Sequence, residues 1–136
     1  LLAGISVRHF MHTDLIAVPP DLPLSQLIEN ILLQRGLKRV PVIDVAGRPL
    51  GFVGVEEVKR VPPEERFNRT TRDILSPLAP ESTISPDAQA KHALEQMQRT
   101  HLDHLFVTEA GRLTGVVTLK GLLQYLRVKS ELEATA

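Results

Sequence analysis

The sequence predicts an α+β (mixed α/β) fold built from two similar β-α-β-β-α units. The main observation is an internal repeat: residues 46–58 (AGRPLGFVGVEEV) match residues 110–122 (AGRLTGVVTLKGL), and other paired stretches keep an offset of 64 to 66 residues. Within each copy, short apolar runs alternate with leucines at helical spacing. Hydrophobic residues make up 43% of the chain and charged residues 24%, which is typical of globular proteins. Because two halves of roughly 60 residues would be marginal alone, we expect them to pack together around a shared core.

The first copy opens with an apolar stretch that predicts a strand at residues 15–18, ended by two prolines. A helix follows, with Pro23 suited to its first turn and Gly36 to its end. Its buried face is predicted from apolar residues spaced three and four apart: Leu24, Leu27, Ile28, Ile31 and Leu32.

The second copy predicts two helices. Ser85 is the expected N-cap of the first helix, with Pro86 and Asp87 in its first turn. The buried stripe of that helix comprises Ala90, Ala93, Leu94 and Met97. The apolar face of the last helix comprises Leu119, Leu122, Leu123 and Leu126.

Each copy also carries a predicted hairpin around a glycine-containing turn. In the first copy, residues 40–45 and 50–55 form the strands. In the second copy, residues 106–107 and 113–117 form them. The polar stretch 59–73, which contains a proline pair, predicts a connector between the copies.

These elements divide the chain into four predicted regions. They are a first unit at 1–60 with an N-terminal segment, a linker at 61–70, a second unit at 71–128 and a C-terminal tail at 129–136. No apolar run approaches the ~18 residues of a membrane span, so we expect no direct membrane insertion by this chain. Because the chain begins with leucine rather than methionine, we expect it to be a piece of a larger protein whose linked domain lies outside it.

Composition and motifs exclude several functional classes. Sixteen basic residues balance sixteen acidic ones, so no surplus of positive charge predicts a nucleic-acid partner. The absence of cysteine excludes disulfides and thiolate metal sites. Histidines at 9 and 12, and again at 101 and 104, have a spacing that metal ligands can use, but no acidic residue completes a familiar set, so we expect ordinary polar positions and no metal site. No HExxH, GxSxG, P-loop or GxGxxG motif is present, and we expect this chain not to be an enzyme.

The repeated motifs resemble the CBS domain, which occurs in tandem pairs called Bateman modules. In the first copy the resemblance rests on VRHFM, VPPD, RVPVID and AGRPLGFV, and in the second on TRDILSP, ISPD and AGRLTGVVTLKGLL. It covers the chain from about Val7 to about Leu126. The resemblance implies two units packed through their sheets about a pseudo-twofold axis. It also implies a regulatory role, a homodimer, and an adenosine-type ligand (AMP, ADP, ATP or S-adenosylmethionine) in a cleft between the units.

The same resemblance implies a ligand-contacting Thr or Ser followed three residues later by Asp, after the third strand. The hydroxyl touches phosphate, and the carboxylate accepts hydrogen bonds from ribose hydroxyls. This chain has Thr118 with Gly121 in the second copy and Gly54 with Glu57 in the first. Each copy therefore keeps one member of the pair and has lost the other. Glu57 still has the length to reach a ribose, and backbone N–H groups at Gly54 are candidates for phosphate contact.

Basic residues near the expected clefts complete the candidate site: Lys38 and Arg39 in the first copy, His104 and Lys120 in the second. The alternatives are structural. Lys38, Arg39 and Lys120 also fit a solvated loop face. The hydroxyl of Thr118 also fits a group that hydrogen-bonds to the local backbone, and the charge of Glu57 also fits the start of a helix.

The predicted function is therefore a regulatory module of a larger protein that binds an adenosine-type ligand. The alternative is a ligand-free dimerisation module with degenerate clefts. The N-terminal stretch is similar to CBS pairs of site-2-protease-type zinc metallopeptidases, which implies a cytoplasmic location as the cytosolic portion of a membrane protein. A stand-alone CBS protein is the other reading.

Overall fold

The computed structural model describes residues 2–134. Packing divides the chain into two compact units: a first unit, residues 16–79, and a second unit, which joins residues 2–15 to residues 80–134. The division predicted from the repeat placed residues 1–15 with the first unit, so the repeat in the sequence and the packing unit differ at this segment. The predicted mixed α/β fold is confirmed, with a three-stranded sheet in each unit.

In the first unit, β1 (Arg39–Ile43) and β2 (Pro49–Gly54) form the predicted antiparallel hairpin. The two-residue strand β3 (Ser76–Pro77) pairs antiparallel with the other edge of β2. The sheet order is therefore β1-β2-β3.

The helices of the first unit flank this hairpin in sequence. Helix α1 begins with α-helical turns at Leu24–Gln26 and continues with wider π-helical turns over Leu27–Leu33. The N–H of Gln34 donates to the carbonyl of Glu29 at 3.1 Å, which is the i to i−5 bond of a π-helix. The short helix α2 (Val55–Lys59) follows β2 without a loop.

The second unit repeats the sequence of a helix, a hairpin and a helix, but its third strand precedes the first helix. Its sheet has the order β4-β5-β6, with β4 parallel to β5 and β5 antiparallel to β6. Its elements are β4 (Thr83–Ile84), α4 (Ala90–Thr100), β5 (His104–Glu109), β6 (Arg112–Thr118) and α5 (Leu119–Glu133), preceded by a 3-10 turn at Val7–His9.

The opening segment of each copy of the repeat pairs with a strand of the other copy. Ser76 pairs with Phe52 in the first unit, and His12 pairs with Val116 in the second, so both members of the pair are shifted by 64 residues (76 − 12 and 116 − 52). We call residues 76–77 and 11–13 the crossing segments. A glycine lets each of them approach, because a Cβ on Gly115 would lie 2.9 Å from the carbonyl oxygen of His12.

Each unit has its own apolar core. Most side chains predicted for the buried helical faces are part of it. The first core comprises Val18, Leu24, Leu27, Leu32, Val40, Val42, Val53, Val58 and Val61. The second comprises Ile5, Val7, Phe10, Ile84, Ala90, Ala93, Met97, Leu105, Val107, Val117 and Leu122.

Two predictions about individual elements are wrong. Residues 15–18 do not form a strand, because only Val18 pairs, in a single parallel bridge to Val42. Ser85 does not cap α4, which begins at Ala90. Instead, its hydroxyl accepts from the N–H of Asp87 at 3.2 Å within a turn. The stretch predicted as a connector, 59–73, contains a 3-10 helix at Pro63–Asn68 and the start of helix α3 (Thr71–Ile74).

Candidate functional site

Glu57 is the most unusual residue of the first unit. It lies in α2, directly after β2, and only 7% of its surface is exposed. Ser76, on the crossing segment, donates a hydrogen bond from Oγ to Glu57 Oε2 at 2.7 Å. The other oxygen, Oε1, is buried and accepts no hydrogen bond from any residue between 2 and 134. A buried carboxylate oxygen without a donor costs free energy, so this atom is a candidate acceptor for a water or a ligand.

A cleft of about 650 Å³ adjoins Glu57. Exposed basic side chains dominate its lining, and all of them belong to the first unit. The guanidinium carbon of Arg39 lies 4.5 Å from the centre of the Phe52 ring, a cation–π contact that holds the side chain over the sheet. The lining residues are Lys38, Arg39, Val55, Glu56, Glu57 and Arg60.

Gly54 has a structural role at this site. It precedes α2 with extended backbone (φ −174°, ψ −158°), and a Cβ at this position would collide with the carbonyl oxygen of Lys38. The N–H of Val55 donates to that same carbonyl at 2.9 Å. The N–H of Val55 is therefore occupied, and Gly54 is a close-approach position. The phosphate contact at Gly54 stays a prediction.

Thr118 occupies the equivalent position in the second unit, where it caps α5. Its Oγ1 accepts from the N–H of Gly121 at 2.9 Å. This bond matches the alternative in which the hydroxyl satisfies local backbone. A Cβ added to Gly121 would lie 2.9 Å from Thr118 Oγ1 and 3.2 Å from His12 Nε2. An imidazole from the crossing segment therefore stands beside the position where the resemblance implies a carboxylate.

His104 and Lys120 lie near Thr118. His104 is directly opposite Thr118 in the β5–β6 pair, and its Nδ1 is 2.9 Å from Asp103 Oδ1. Lys120 is exposed in the first turn of α5. The predicted site residues thus fall into two groups, Lys38, Arg39, Gly54 and Glu57 in the first unit and His104, Thr118 and Lys120 in the second.

Sequence reasoning missed three residues: Ser76, His12 and Arg60. The signal for the first two was present, because Ser76 and His12 occupy the same place in TRDILSP and VRHFMHT, 64 residues apart. Arg60 faces the cleft because it follows α2 directly.

The histidines do not lie together in one site. His9 Nδ1 accepts from the backbone N–H of Ser6 at 3.0 Å, in the cap of the first 3-10 turn. Within residues 2–134, no three His, Cys, Asp or Glu side chains are grouped so that they could hold a metal ion.

The fold and the repeat agree with a known family. The CBS domain model matches residues 7–64 and again residues 70–128. The chain belongs to the CBS-domain family. A CBS pair is a regulatory module rather than a catalytic one.

Relatives with curated names place similar CBS pairs in longer proteins. Zinc metalloprotease MJ0392 of Methanocaldococcus jannaschii is 24% identical over 136 residues, which is 98% of this chain and 36% of the relative. The Mycobacterium tuberculosis protein Rip3, also named as a zinc metalloprotease, is 27% identical over 119 residues, or 87% of this chain and 30% of the relative. The CBS chain thus spans about a third of the length of these relatives. Their names agree with the resemblance of the N-terminal stretch to metallopeptidase-linked CBS pairs.

Solved structures show the same fold. The CBS domain of a bacterial CNNM/CorC family Mg²⁺ transporter in complex with ATP has a TM-score of 0.77 and 22% identity, covering 90% of this chain and 87% of that one. CBSX2 in complex with AMP has a TM-score of 0.75 and 20% identity, covering 93% of this chain and 99% of that one. Among the helices in the described part of the CBS chain, none is long and apolar enough to cross a membrane.

Proposed function

We propose that this CBS pair is a regulatory module that binds a phosphorylated adenosine compound on its first unit. The observation that carries the proposal is Glu57 Oε1, a buried acceptor without a donor in the described chain, beside a cleft lined by three cationic side chains. Arginine and lysine suit phosphate oxygens, and a carboxylate suits a sugar hydroxyl. The ATP and AMP complexes of proteins with the same fold support this class of ligand.

The charge of the cleft discriminates among adenosine compounds. Lys38, Arg39 and Arg60 carry three positive charges against the two carboxylates of Glu56 and Glu57, which leaves the lining with a net charge of +1. AMP, ADP and ATP bring negative phosphates to these cations, whereas S-adenosylmethionine brings a positively charged sulfonium. The nucleotides are therefore the better match.

Binding is coupled to a change of conformation in this proposal. Glu57 Oε1 is buried, so a ligand hydroxyl reaches it only after neighbouring side chains have moved. A ligand that binds the rearranged module more tightly than the resting one shifts the population toward the rearranged state. That shift is the regulatory signal to the rest of a larger protein.

Isothermal titration of the whole chain with AMP, ATP and S-adenosylmethionine tests the proposal. We expect AMP and ATP to bind and S-adenosylmethionine to bind more weakly. Lys38→Ala and Glu57→Gln should each weaken nucleotide affinity about tenfold or more, because each removes a charge-assisted hydrogen bond. Lys91→Ala, an exposed lysine on α4, is the matched control and should leave affinity unchanged. Silence with both nucleotides, or an equal loss in the Lys91 variant, would contradict the proposal.

The alternative function, a dimerisation module, is favoured by exposed apolar side chains on α5. Leu123 and Val128 are each 51% exposed, and Leu132 is 71% exposed. Val128 and Leu132, four residues apart, share a face of α5 that a second copy of the chain would cover, whereas Leu123 lies on the other side of the helix. Light scattering should then give the mass of a homodimer for the wild type and of a monomer for Val128→Glu/Leu132→Glu. A wild-type monomer would reject dimerisation, and a dimer that ignores nucleotides would favour this function over ligand sensing.

The parent protein we propose is a membrane zinc metallopeptidase that carries this CBS pair as a linked domain in the cytoplasm. The names and greater lengths of the relatives support this. The full reading frame tests it: membrane-spanning segments with an HExxH motif are expected, and a frame without them would favour a stand-alone CBS protein.

A further inference from the structure

The two units carry different side chains around the positions where the resemblance implies a Thr/Asp pair. The N–H of Val55 donates to the carbonyl of Lys38, and the N–H of Leu119 donates to the carbonyl of Asp103, both at 2.9 Å, so the two strand ends correspond. By the same correspondence, Glu57 matches Gly121.

The crossing segments also differ at this point. The first unit places a small hydroxyl residue, Ser76, against its carboxylate. The second unit has no side chain at Gly121 and places the larger imidazole of His12 there, with Nε2 3.2 Å from the position of a Cβ on Gly121. The imidazole and Thr118 Oγ1, which lies 2.9 Å from the same Cβ position, therefore border the space that a side chain at residue 121 would enter.

The backbone of His12 is held in place. Its N–H donates to the carbonyl of Val116 at 2.8 Å, and its carbonyl accepts from the N–H of Val116 at 2.9 Å. The sheet therefore fixes the backbone of His12 near Gly121, while the imidazole belongs to an exposed residue. Charge adds to this obstacle, because the exposed carboxylate of Asp103 stands where the first unit has the exposed ammonium of Lys38.

We propose that His12 is a specificity-determining residue. It closes the half-site of the second unit to a nucleotide, so that each chain binds one nucleotide, on the first unit. This inference rests on the proposed function and assigns the two unlike half-sites opposite roles, one open and one closed by the chain itself.

Rebuilding the second half-site tests the role of His12. Asp103→Lys/Gly121→Glu supplies the cation and the carboxylate of the first unit but keeps His12, and a third change, His12→Ser, copies Ser76. With AMP as the titrant, we expect one equivalent for the wild type and for the double variant, and two for the triple variant. Melting temperatures confirm that all three proteins are folded. A second equivalent in the wild type or the double variant would overturn the proposal, as would a folded triple variant that binds only one.

A second experiment checks the contact without any nucleotide. Alanine is a better helix former than glycine, but a Cβ at residue 121 would lie 2.9 Å from Thr118 Oγ1 and 3.2 Å from His12 Nε2. The Thr118 contact is common to both backgrounds, so a difference between them reports on His12. We therefore expect the change in melting temperature caused by Gly121→Ala to be more favourable in a His12→Ser background than in the wild type. Equal effects in both backgrounds would show that His12 does not occupy this space. If the wild type gives no heat with AMP, the proposed function fails while this contact is still tested.

Discussion

Asp44 shows how one carboxylate fixes a turn. It follows β1, and its Oδ1 accepts hydrogen bonds from the N–H groups of Ala46 and Arg48, both at 2.9 Å. Its Oδ2 also lies 3.2 Å from the Arg48 Nε. The backbone N–H of Arg48 is the main cause that holds the pKa of Asp44 below its ordinary value of 3.8. Because the donors favour the ionised form, the charge of Asp44 stabilises the folded hairpin.

The lowered pKa predicts a pH dependence of stability. The Asp44 contribution is fully present above the unfolded-state pKa and is lost as the pH falls through the folded-state pKa, that is, below about pH 4. Asp44→Asn keeps an acceptor but does not titrate. Urea unfolding between about pH 6 and pH 3 should therefore show a wild-type advantage over Asp44→Asn that shrinks at the acidic end. An advantage that stays constant over this pH range would mean that the charge of Asp44 does not stabilise the hairpin.

At the scale of elements, the same strand-to-helix junction exists in two versions. The second unit enters α5 through Thr118 (φ −126°, ψ 154°), which carries a side chain and a cap. The first unit enters α2 through Gly54, whose backbone is more extended and lies against Lys38. A threonine side chain therefore has no room at Gly54 in this backbone.

This difference predicts unequal effects of alanine at the two junctions. Gly54→Ala places a Cβ against backbone atoms of Lys38 and Arg39, which cannot move aside as a flexible side chain can. We therefore expect a loss of about 1–3 kcal/mol in the free energy of unfolding. Thr118→Ala, the control, removes a cap but adds no atom and should cost about 1 kcal/mol. Denaturant unfolding of both variants measures this. A Gly54 variant as stable as the wild type would mean that the β1–β2 hairpin adjusts freely.

The sequence predicted the elements whose signal is local. The hairpins were recognisable because branched residues flank a glycine turn, and the helices because leucines recur along one face. It did not predict the pairing of Ser76 or His12, since a bridge of one or two residues leaves no periodic pattern. The N-cap prediction for Ser85 was wrong because a serine hydroxyl suits both a turn and a helix cap. In the site, Glu57 was predicted, but its burial and its bond to Ser76 depend on a contact between residues 19 apart.

At the scale of the whole molecule, the N-terminal segment belongs to the core of the second unit. Phe10 is 6% exposed there, and its ring centre lies 6.3 Å from that of Tyr125 on α5. Arg8 adds ion pairs to Asp87 at 3.1 Å and Glu109 at 3.7 Å, but these are exposed and contribute little. Apolar burial therefore holds this segment in place.

Two phenylalanines test this assignment. Phe10→Ala should destabilise the protein by about 3–5 kcal/mol, because it leaves a cavity in the second core. Phe67, in the 3-10 helix of the first unit, is 77% exposed, and Phe67→Ala should change stability by no more than about 0.5 kcal/mol. Thermal or urea unfolding compares the two. Equal effects would mean that the N-terminal segment is not part of the folded core.

The discontinuous second unit sets an order of events during synthesis. Residues 16–79 are complete once Ala79 has left the ribosome, whereas residues 2–15 wait for β6, which ends at Thr118. At about 5–20 residues per second, roughly 100 residues of waiting last about 5–20 seconds. During that time Val7 and Phe10 have no core to enter, so the nascent N-terminal segment is the part of this chain most open to chaperones.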